Sequence, residues 1–490
     1  MINLKIIITM NRKKLLISLA MAMLSMAGLA ADNLPALHVQ GKNLVDANGK
    51  TVVLHGVMDT PNRYFNGWRW QKWKADYSEA DIKPCLNYFE KIFTAITDHS
   101  QGAYCDVFRL HMDPCWVAGT ESLNSGYMSY YDNNGHETTG EANITKFYLP
   151  YYRKYLQSLY IPLIKQALAH GLYVVVRPPG VCPPKLTVEE YNNAATKRKC
   201  YLYYLLNIWH EFASDPYIQE HSGQISIELA NEPISITWNG SSDNGAMKEF
   251  FQPVVNRIRR DGFNGIIWVP GTTWQQNYRD YVKHPIVDKQ NNLGYAVHCY
   301  PGWYRSGSGN NDNTNKEKFY NAFLDAVPVA KTNPIIVTEI DWSPYKPGSG
   351  HKDEQGNWVE SNYGTWGTAT TSGFGEGWKY IHDKLGNISM TLQGSGLYFD
   401  IDTYLKDKVV EPAFKGVDEA CGEACFKWYK EWYLKQNTTG IKQLETQADV
   451  VSTLYYNIEG KEVEKPTAGV YIIKQLLSNG KIRSRKVFLK

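Results

Sequence analysis

Two glutamates, each at the end of an apolar segment, are the residues of this sequence best placed to do chemistry together. Glu232 follows the alternating segment 225–230, and Glu339 ends the apolar segment 334–338. Parallel strands of a barrel bring such ends to one face. Two carboxylates there can split a glycosidic bond, one protonating the leaving oxygen while the other attacks the sugar carbon. We therefore predict Glu232 as general acid/base and Glu339 as nucleophile.

The structural alternative for Glu232 is that it caps the helix that follows it. Taken alone, the motif Asn231-Glu232-Pro233 is explained about equally well by this capping role. A second glutamate at the end of a later predicted strand favours the catalytic interpretation.

Arg109 and Tyr300 are predicted to serve Glu339. A nucleophilic carboxylate must stay ionised, which requires positive charge and hydrogen-bond donors nearby. Arg109 lies at the end of the second predicted strand, and Tyr300 follows the sixth. We expect the guanidinium and the phenol to contact the Glu339 carboxylate.

His298 and Asn231 are predicted to complete the site. His298 shares a strand face with Tyr300 and would assist Glu232 or hold the sugar, although a lone histidine is more often structural. Asn231 directly precedes Glu232 and would reach the sugar 2-hydroxyl, where a hydrogen bond strengthens in the transition state.

Tryptophans are the second feature that points to sugars. The chain has 15 Trp and 34 Tyr. Flat aromatic faces stack against pyranose rings, although packing explains any single Trp equally well. Those predicted to bind substrate each follow a predicted strand end: Trp116, Trp238, Trp303 and Trp342. Trp274 has a similar position.

The chain resembles glycoside hydrolase family 5, the cellulase family A, in four motifs that occur in the family's order. They are Arg109 on the second predicted strand, the segment 229–233 at the end of the fourth, the pair His298 and Tyr300 at the end of the sixth, and Glu339 at the end of the seventh. The resemblance covers roughly residues 37–435. It implies a (β/α)₈ barrel, a double displacement through a covalent glycosyl–enzyme, and no metal or organic cofactor. It implies the same roles for Glu232 and Glu339, with Asn231, Arg109, His298 and Tyr300 around them.

Two strand ends depart from the family pattern. Many members carry Asp-x-His or a relative at the end of strand three, where this chain has Arg177-Pro178-Pro179-Gly180. Many also carry a Trp at the end of strand eight. We predict that strand at 396–399 in this chain, where Tyr398, Phe399 and Asp400 stand instead of a Trp. Both positions touch the sugar in the family, so the substrate stays open.

The elements that must position these residues alternate between short apolar strands and longer helical segments. Eight strand–helix units predict an α/β fold, a (β/α)₈ barrel with long loops on its C-terminal face. The predicted strands are 52–57, 106–110, 172–176, 225–230, 266–269, 295–298, 335–338 and 396–399. A hairpin around Asn48-Gly49 is predicted to close the other end.

Three long segments follow the second, sixth and seventh predicted strands. They are residues 111–146, 300–317 and 341–377, which are rich in Gly, Ser, Asn and aromatic residues. Segments of this length are usually functional or disordered. We expect them on the active face, with tolerated surface insertion as the alternative.

Both ends of the chain carry separate signals. Residues 1–31 are predicted as a signal peptide, because Arg12, Lys13 and Lys14 precede an apolar run. No later segment reaches transmembrane length. Residues 436–440 are predicted as a linker. Residues 441–490 are predicted as a small all-β domain that resembles the type A sorting domain of the type IX secretion system, with a carbohydrate-binding module as the alternative.

Charge and cysteine content limit the partners. The chain carries a formal charge of +3, of which residues 1–31 and 441–490 contribute +4 each, so the body between them is −5. An acidic body argues against nucleic acid as a partner. Eight cysteines in an exported protein permit up to four disulfides, but the sequence does not give their pairing.

Together these features predict a secreted or cell-surface retaining endo-β-glycanase that hydrolyses a β-1,4-linked plant polysaccharide of the cellulose or mixed-linkage glucan type. The alternatives are a β-mannanase, an exo-acting β-glucosidase of the same chemistry, and a non-catalytic glycan-binding protein. A pure binder has no reason to keep both glutamates and their surrounding residues, which favours the enzyme.

Overall fold

The computed structural model describes most of the chain. The described residues are 34–61, 79–112, 149–180, 182–307, 314–344, 350–352, 356–360, 373–417, 419–446, 450–457, 460–464, 466–477 and 482–489. The predicted signal peptide, Trp116 and much of the segments 111–146 and 341–377 lie outside them. The chain forms two compact units, Met1–Lys430 and Glu431–Lys490.

Eighteen strands lie in the described residues. In chain order they are β1 Leu37–Gln40, β2 Asn43–Asp46, β3 Thr51–Val52, β4 His55–Asp59, β5 Val107–His111, β6 Tyr173–Arg177, β7 Lys185–Thr187, β8 Ile225–Glu228, β9 Ser235–Thr237, β10 Ile267–Pro270, β11 Leu293–Cys299, β12 Ile335–Ile340, β13 Gly350–Lys352, β14 Trp358–Glu360, β15 Ile388–Leu392, β16 Val450–Tyr456, β17 Gly469–Leu477 and β18 Ile482–Leu489.

Eight of these strands close into one parallel barrel. Its order around the axis is β4, β5, β6, β8, β10, β11, β12 and β15, with β15 returning to β4. Every residue of the eight strands is buried, as expected where the barrel interior is filled by side chains and the outside is covered by helices. The prediction of a (β/α)₈ barrel is confirmed.

Two predicted strands differ from the structure. The first barrel strand begins at His55, three residues later than predicted, because Thr51–Val52 pairs with β2 instead. The predicted eighth strand, 396–399, is wrong: Ser395–Tyr398 is a short helix, and the strand is Ile388–Leu392. Short apolar runs do not separate strand from helix by periodicity. Gln393, rather than Asp400, therefore follows strand eight.

The predicted hairpin forms a three-stranded antiparallel sheet of β1, β2 and β3. Leu37 and Leu44 of this sheet share an apolar cluster with barrel residues such as Val107 and Trp268. The cluster closes the amino end of the barrel, opposite to the face that carries the predicted catalytic residues.

The helices that surround the barrel have apolar faces with helical spacing. In Ala246–Arg260 the side chains of Met247, Phe250, Val254 and Ile258 are buried, three or four residues apart. The longer helices of the described residues are Glu79–Ile96, Ile161–Ala169, Tyr201–Ala213, Ala246–Arg260, Lys316–Ala326, Phe374–Leu385 and Cys421–Thr446. No described helix combines the length and the apolar content that crossing a membrane requires.

The second unit contains an antiparallel sheet of β16, β17 and β18, which matches the predicted β-rich tail. Residues 436–440, the predicted linker, lie within the helix Cys421–Thr446, and their role as a domain boundary stays a prediction. Helix-forming residues on both sides, including Lys435 and Lys442, carry the helix through the polar stretch. The assignment of 441–490 as a sorting domain stays a prediction.

Seven cysteines lie in the described residues, and all of them are buried with free thiols. The remaining one, Cys115, is outside those residues. Among the described cysteines the disulfides that the sequence permits are therefore not formed.

Candidate active site

Arg109 is the centre of a buried network inside the carboxyl end of the barrel. Its Nε and Nη2 donate to Glu228 Oε2 and Oε1 at 2.6 and 3.0 Å. Its Nη1 donates to Glu339 Oε1 at 2.7 Å, and Nη2 also donates to Asn231 Oδ1 at 2.8 Å. Arg109 and Glu228 are both inaccessible to solvent. The Arg109 guanidinium on β5 thus fixes the Glu228 carboxyl group of β8, the Glu339 carboxyl group of β12 and the Asn231 amide that follows β8.

Each carboxylate oxygen of Glu339 has a donor, because the Tyr300 hydroxyl donates to Oε2 at 2.8 Å. Burial alone would raise the pKa of the Glu339 carboxyl, but the interactions with His298 and Arg109, including the Arg109 hydrogen bond, lower that pKa to about 2. Burial and the Glu339 charge raise the pKa of the Tyr300 phenol well above its usual range. Tyr300 therefore keeps its proton and remains a donor.

His298 connects the two glutamates. Its Nδ1 lies 3.0 Å from Glu232 Oε1 and 3.6 Å from Glu339 Oε2. The pairing of β11 with β12 shifts register between Val297 and His298, and an irregularity of this kind re-aims side chains at the end of a strand. Glu232 has a positive φ of 55°, and its side chain is a quarter exposed.

The same three residues are the described group that could hold a metal ion. One ligand atom from each of Glu232, His298 and Glu339 lies within 4.8 Å of the other two. Two carboxylates and an imidazole suit a transition metal such as Zn²⁺. The reaction predicted for the two glutamates requires no metal.

The end of β6 contributes a second buried guanidinium. Arg177 is fully buried, donates to the carbonyl oxygens of Pro178 and Gly180, and lies 2.8 Å from His111 Nδ1. His111 Nε2 lies 2.9 Å from Arg109 Nη1. The strand end that departs from the family pattern is thereby connected to the network around Glu339.

The family of this chain follows from the match of its sequence to a family model. The cellulase model, which describes glycosyl hydrolase family 5, matches residues 87–372, more than half of the chain. The chain belongs to glycosyl hydrolase family 5. This family 5 protein is a glycoside hydrolase, as the sequence predicts.

Solved structures similar to this hydrolase include a β-glucanase from Saccharophagus degradans in complex with cellotetraose, with 16% identity, 82% of this chain and 94% of that chain covered, and a TM-score of 0.49. A structure from Cytophaga hutchinsonii has 16% identity, coverage of 84% and 99%, and a TM-score of 0.46. A β-mannanase from Streptomyces thermolilacinus has 13% identity, coverage of 73% and 84%, and a TM-score of 0.39. No curated protein sequence matches the chain.

The structure of this hydrolase brings six predicted residues together in one network. The predicted tryptophans differ from one another in burial and in packing. The six are Arg109, Asn231, Glu232, His298, Tyr300 and Glu339. Their catalytic and binding roles stay predictions. Trp303 is half-buried and packs edge-to-face on Tyr300, with ring centroids 5.1 Å apart. Trp238 is half-buried and hydrogen bonds within its own turn.

Trp342 does not offer an exposed face in the structure. It is 1% exposed and packs against Phe374, with ring centroids 5.8 Å apart. It lies two residues after β12, and Phe374 is the first residue of the helix Phe374–Leu385. Trp116 lies outside the described residues. In contrast, Trp274 is 40% exposed.

Four residues of this network were missed by sequence reasoning, namely His111, Glu228, Gln275 and Thr338. Glu228 accepts from Arg109, from Thr338 Oγ1 at 2.9 Å and from Gln275 Nε2 at 3.0 Å. As the one charged residue within the apolar segment 225–230, Glu228 was identifiable from sequence. Thr338 and Gln275 gave no such signal, because their roles depend on a strand irregularity and on a turn.

Proposed function

We propose that the protein is a secreted retaining endo-β-glycanase. It hydrolyses a β-1,4-linked plant polysaccharide of the cellulose or mixed-linkage glucan type by double displacement through a covalent glycosyl–enzyme. Glu232 is the general acid/base and Glu339 is the nucleophile in this proposal.

The distance between the two glutamates carries the proposal. One carboxylate oxygen of Glu232 lies within 4.8 Å of one carboxylate oxygen of Glu339. Retaining glycosidases hold their carboxyl groups roughly 5–5.5 Å apart, whereas inverting enzymes need about 6.5–9.5 Å to admit a water molecule. The separation supports direct attack by a carboxylate and disfavours attack by a water held between the two groups.

Two steps follow from this arrangement. Glu339 attacks the anomeric carbon while the bond from that carbon to the leaving oxygen breaks, and Glu232 gives its proton to that oxygen. Glu232, now a carboxylate, then takes a proton from water as the water oxygen attacks the same carbon and releases Glu339. Two inversions restore the original β configuration.

Asn231 is oriented for the sugar. Its Oδ1 accepts from Arg109 Nη2 at 2.8 Å, so its Nδ2 is the group left to donate to a substrate hydroxyl. A hydrogen bond to the sugar 2-hydroxyl that strengthens in the transition state contributes to catalysis in this class of enzyme.

The decisive experiment uses proton NMR to determine the anomeric configuration of the first product that the wild-type enzyme releases. We expect the β anomer first, with Glu339→Gln abolishing turnover and Glu220→Gln, an exposed control, leaving it unchanged. A 2-fluoro-glycoside inhibitor should label Glu339. An initial α anomer, or label on another residue, would overturn the mechanism.

The substrate and the mode of cleavage are resolved by a panel of cellulose-type glucan, mixed-linkage glucan and β-mannan, with products separated by size. Large early products on the glucans support the proposal. Single sugars from the start indicate exo action, and preference for mannan indicates the β-mannanase alternative. Binding of glycan without any product indicates the non-catalytic alternative.

Secretion is part of the proposal. The charged and apolar pattern of residues 1–31 and the three-stranded sheet of the tail support export, with the type IX machinery as the partner of residues 441–490. Mass spectrometry of enzyme from the culture medium and cell surface should find both segments processed or the tail anchored. Cytoplasmic retention of the full-length chain would contradict it.

A further inference from the structure

The chain after β10 makes a turn of unusual handedness. Thr273, Trp274 and Gln275 have φ values of 57°, 55° and 60°. Residues other than glycine visit this left-handed region one at a time, and a β-branched residue such as threonine does so rarely. A run of three persists only where the surrounding structure fixes each residue.

Hydrogen bonds join this left-handed turn to the chain around Glu232. Gln275 Oε1 accepts from the Glu232 backbone N–H at 2.8 Å. The N–H groups of Trp274 and Thr273 donate to the carbonyl oxygens of Pro233 and Ile234 at 3.0 and 2.9 Å. Glu232 itself has a positive φ, so two segments of unusual backbone geometry hold each other in place.

The Gln275 amide extends the connection to the ion-pair network. The side chain is fully buried, and its Nε2 donates to Glu228 Oε1 at 3.0 Å and to the Ala296 carbonyl at 3.2 Å. Glu228 is in turn paired with Arg109, which contacts Glu339. A single amide therefore links the backbone of one glutamate to the network that holds the other.

We propose that Gln275 is a positioning residue for Glu232, an inference that rests on the acid/base role proposed above. A general acid must reach the atom that it protonates, and small displacements from productive geometry are costly. Gln275 touches no reacting atom, so its loss acts through Glu232. The loss therefore slows bond cleavage where the leaving oxygen needs a proton and spares cleavage where it does not.

The test compares two aryl β-cellobiosides in the full-length enzyme. Unsubstituted phenol is a poor leaving group that needs protonation, whereas 2,4-dinitrophenolate leaves without it. We expect Gln275→Met to lower kcat on the phenyl substrate by ~10- to 100-fold. On the dinitrophenyl substrate the rate of the first, bond-breaking step, read from the pre-steady-state burst, should stay within about threefold, and KM should change little on the phenyl substrate.

The matched control is Gln276→Met. Gln276 is the next residue along the chain, is only half-buried, and donates to the Thr273 carbonyl at 3.0 Å without contacting Glu232 or Glu228. It should leave both rates unchanged. Circular dichroism and thermal unfolding verify that each variant folds. Should Gln275→Met fail to fold, Gln275→Asn makes the same comparison with both amide groups retained on a shorter side chain.

Equal losses on both substrates, or no loss on either, would overturn the positioning role. The proposed function is tested separately by Glu232→Gln. If that variant keeps full activity on the phenyl substrate, the acid/base assignment itself fails. If it loses that activity while Gln275→Met shows no selective loss, only the role of Gln275 fails.

Discussion

Arg109 and Glu228 form a bidentate ion pair in which neither side chain has contact with solvent. Glu228 is not one of the two proposed catalytic carboxylates, yet it occupies more of the Arg109 guanidinium than Glu339 does. The pair holds Arg109 in the orientation that leaves Nη1 for Glu339 and Nη2 for Asn231. It therefore couples the stability of the barrel interior to the geometry of the site.

Glu228→Ala is expected to lower the free energy of unfolding by about 3–5 kcal/mol, because removing one member of a buried pair leaves the other charge uncompensated. Urea unfolding followed by circular dichroism measures the change. Asp325→Ala is the control, since Asp325 pairs with Arg279 at 2.6 Å with both side chains exposed. Such surface pairs contribute about 0–1 kcal/mol. Equal losses in the two variants would contradict a structural role for Glu228.

Arg109→Met is expected to move the acidic limb of the profile of kcat/KM against pH to higher pH. Burial raises the pKa of the Glu339 carboxyl, and Arg109 is one of the charges that overcome this effect and lower it to about 2. Without that charge, we expect the nucleophile to take up a proton at a higher pH than in the wild type. Activity at higher pH should also fall by roughly 10²-fold or more, as when other preorganised charges are removed.

The control for this profile is Arg153→Met. Arg153 is half-exposed and pairs with Glu211 at 2.7 Å. Its removal should leave the profile unchanged. An Arg109→Met enzyme with an unshifted acidic limb would show that Arg109 is not needed to keep Glu339 ionised.

The fold and half of the site could be predicted from sequence because they depend on local patterns. Seven barrel strands have the apolar runs that a buried parallel strand requires, and these runs place Glu232 shortly after β8 and Glu339 near the end of β12. The eighth was misplaced, because Ile388–Leu392 and 396–399 are both short and apolar. The role of Gln275 could not be predicted, because no sequence rule assigns a left-handed backbone conformation to three successive residues Thr-Trp-Gln. Contacts that depend on backbone irregularity leave no periodic signature.

Zn²⁺ is expected to inhibit the enzyme reversibly. Glu232, His298 and Glu339 present ligand atoms within 4.8 Å of one another, and Zn²⁺ binds nitrogen and oxygen ligands at roughly 2.0–2.2 Å. Activity should return on addition of a chelator. Mg²⁺ should have no effect, because it prefers six oxygen ligands and retains its water. Calorimetric titration should show one Zn²⁺ bound to wild type and much weaker binding to His298→Gln; identical binding by both would contradict this site.

Asp106→Asn is expected to change how stability depends on pH. Burial, partly opposed by hydrogen bonds such as that from the His55 N–H at 2.6 Å, raises the pKa of the Asp106 carboxyl to about 8. The unfolded value is about 3.9, so between these pH values the folded state binds more protons and loses stability as pH rises. Asn keeps the acceptor oxygen and removes the charge. Measured by urea unfolding, the free energy of unfolding of the variant should match that of the wild type near pH 4 and exceed it by about 1–3 kcal/mol near pH 8. This range is smaller than the full pKa difference would give, because Asp106 is only half-buried. A constant difference across this range would show that Asp106 does not titrate in the folded barrel.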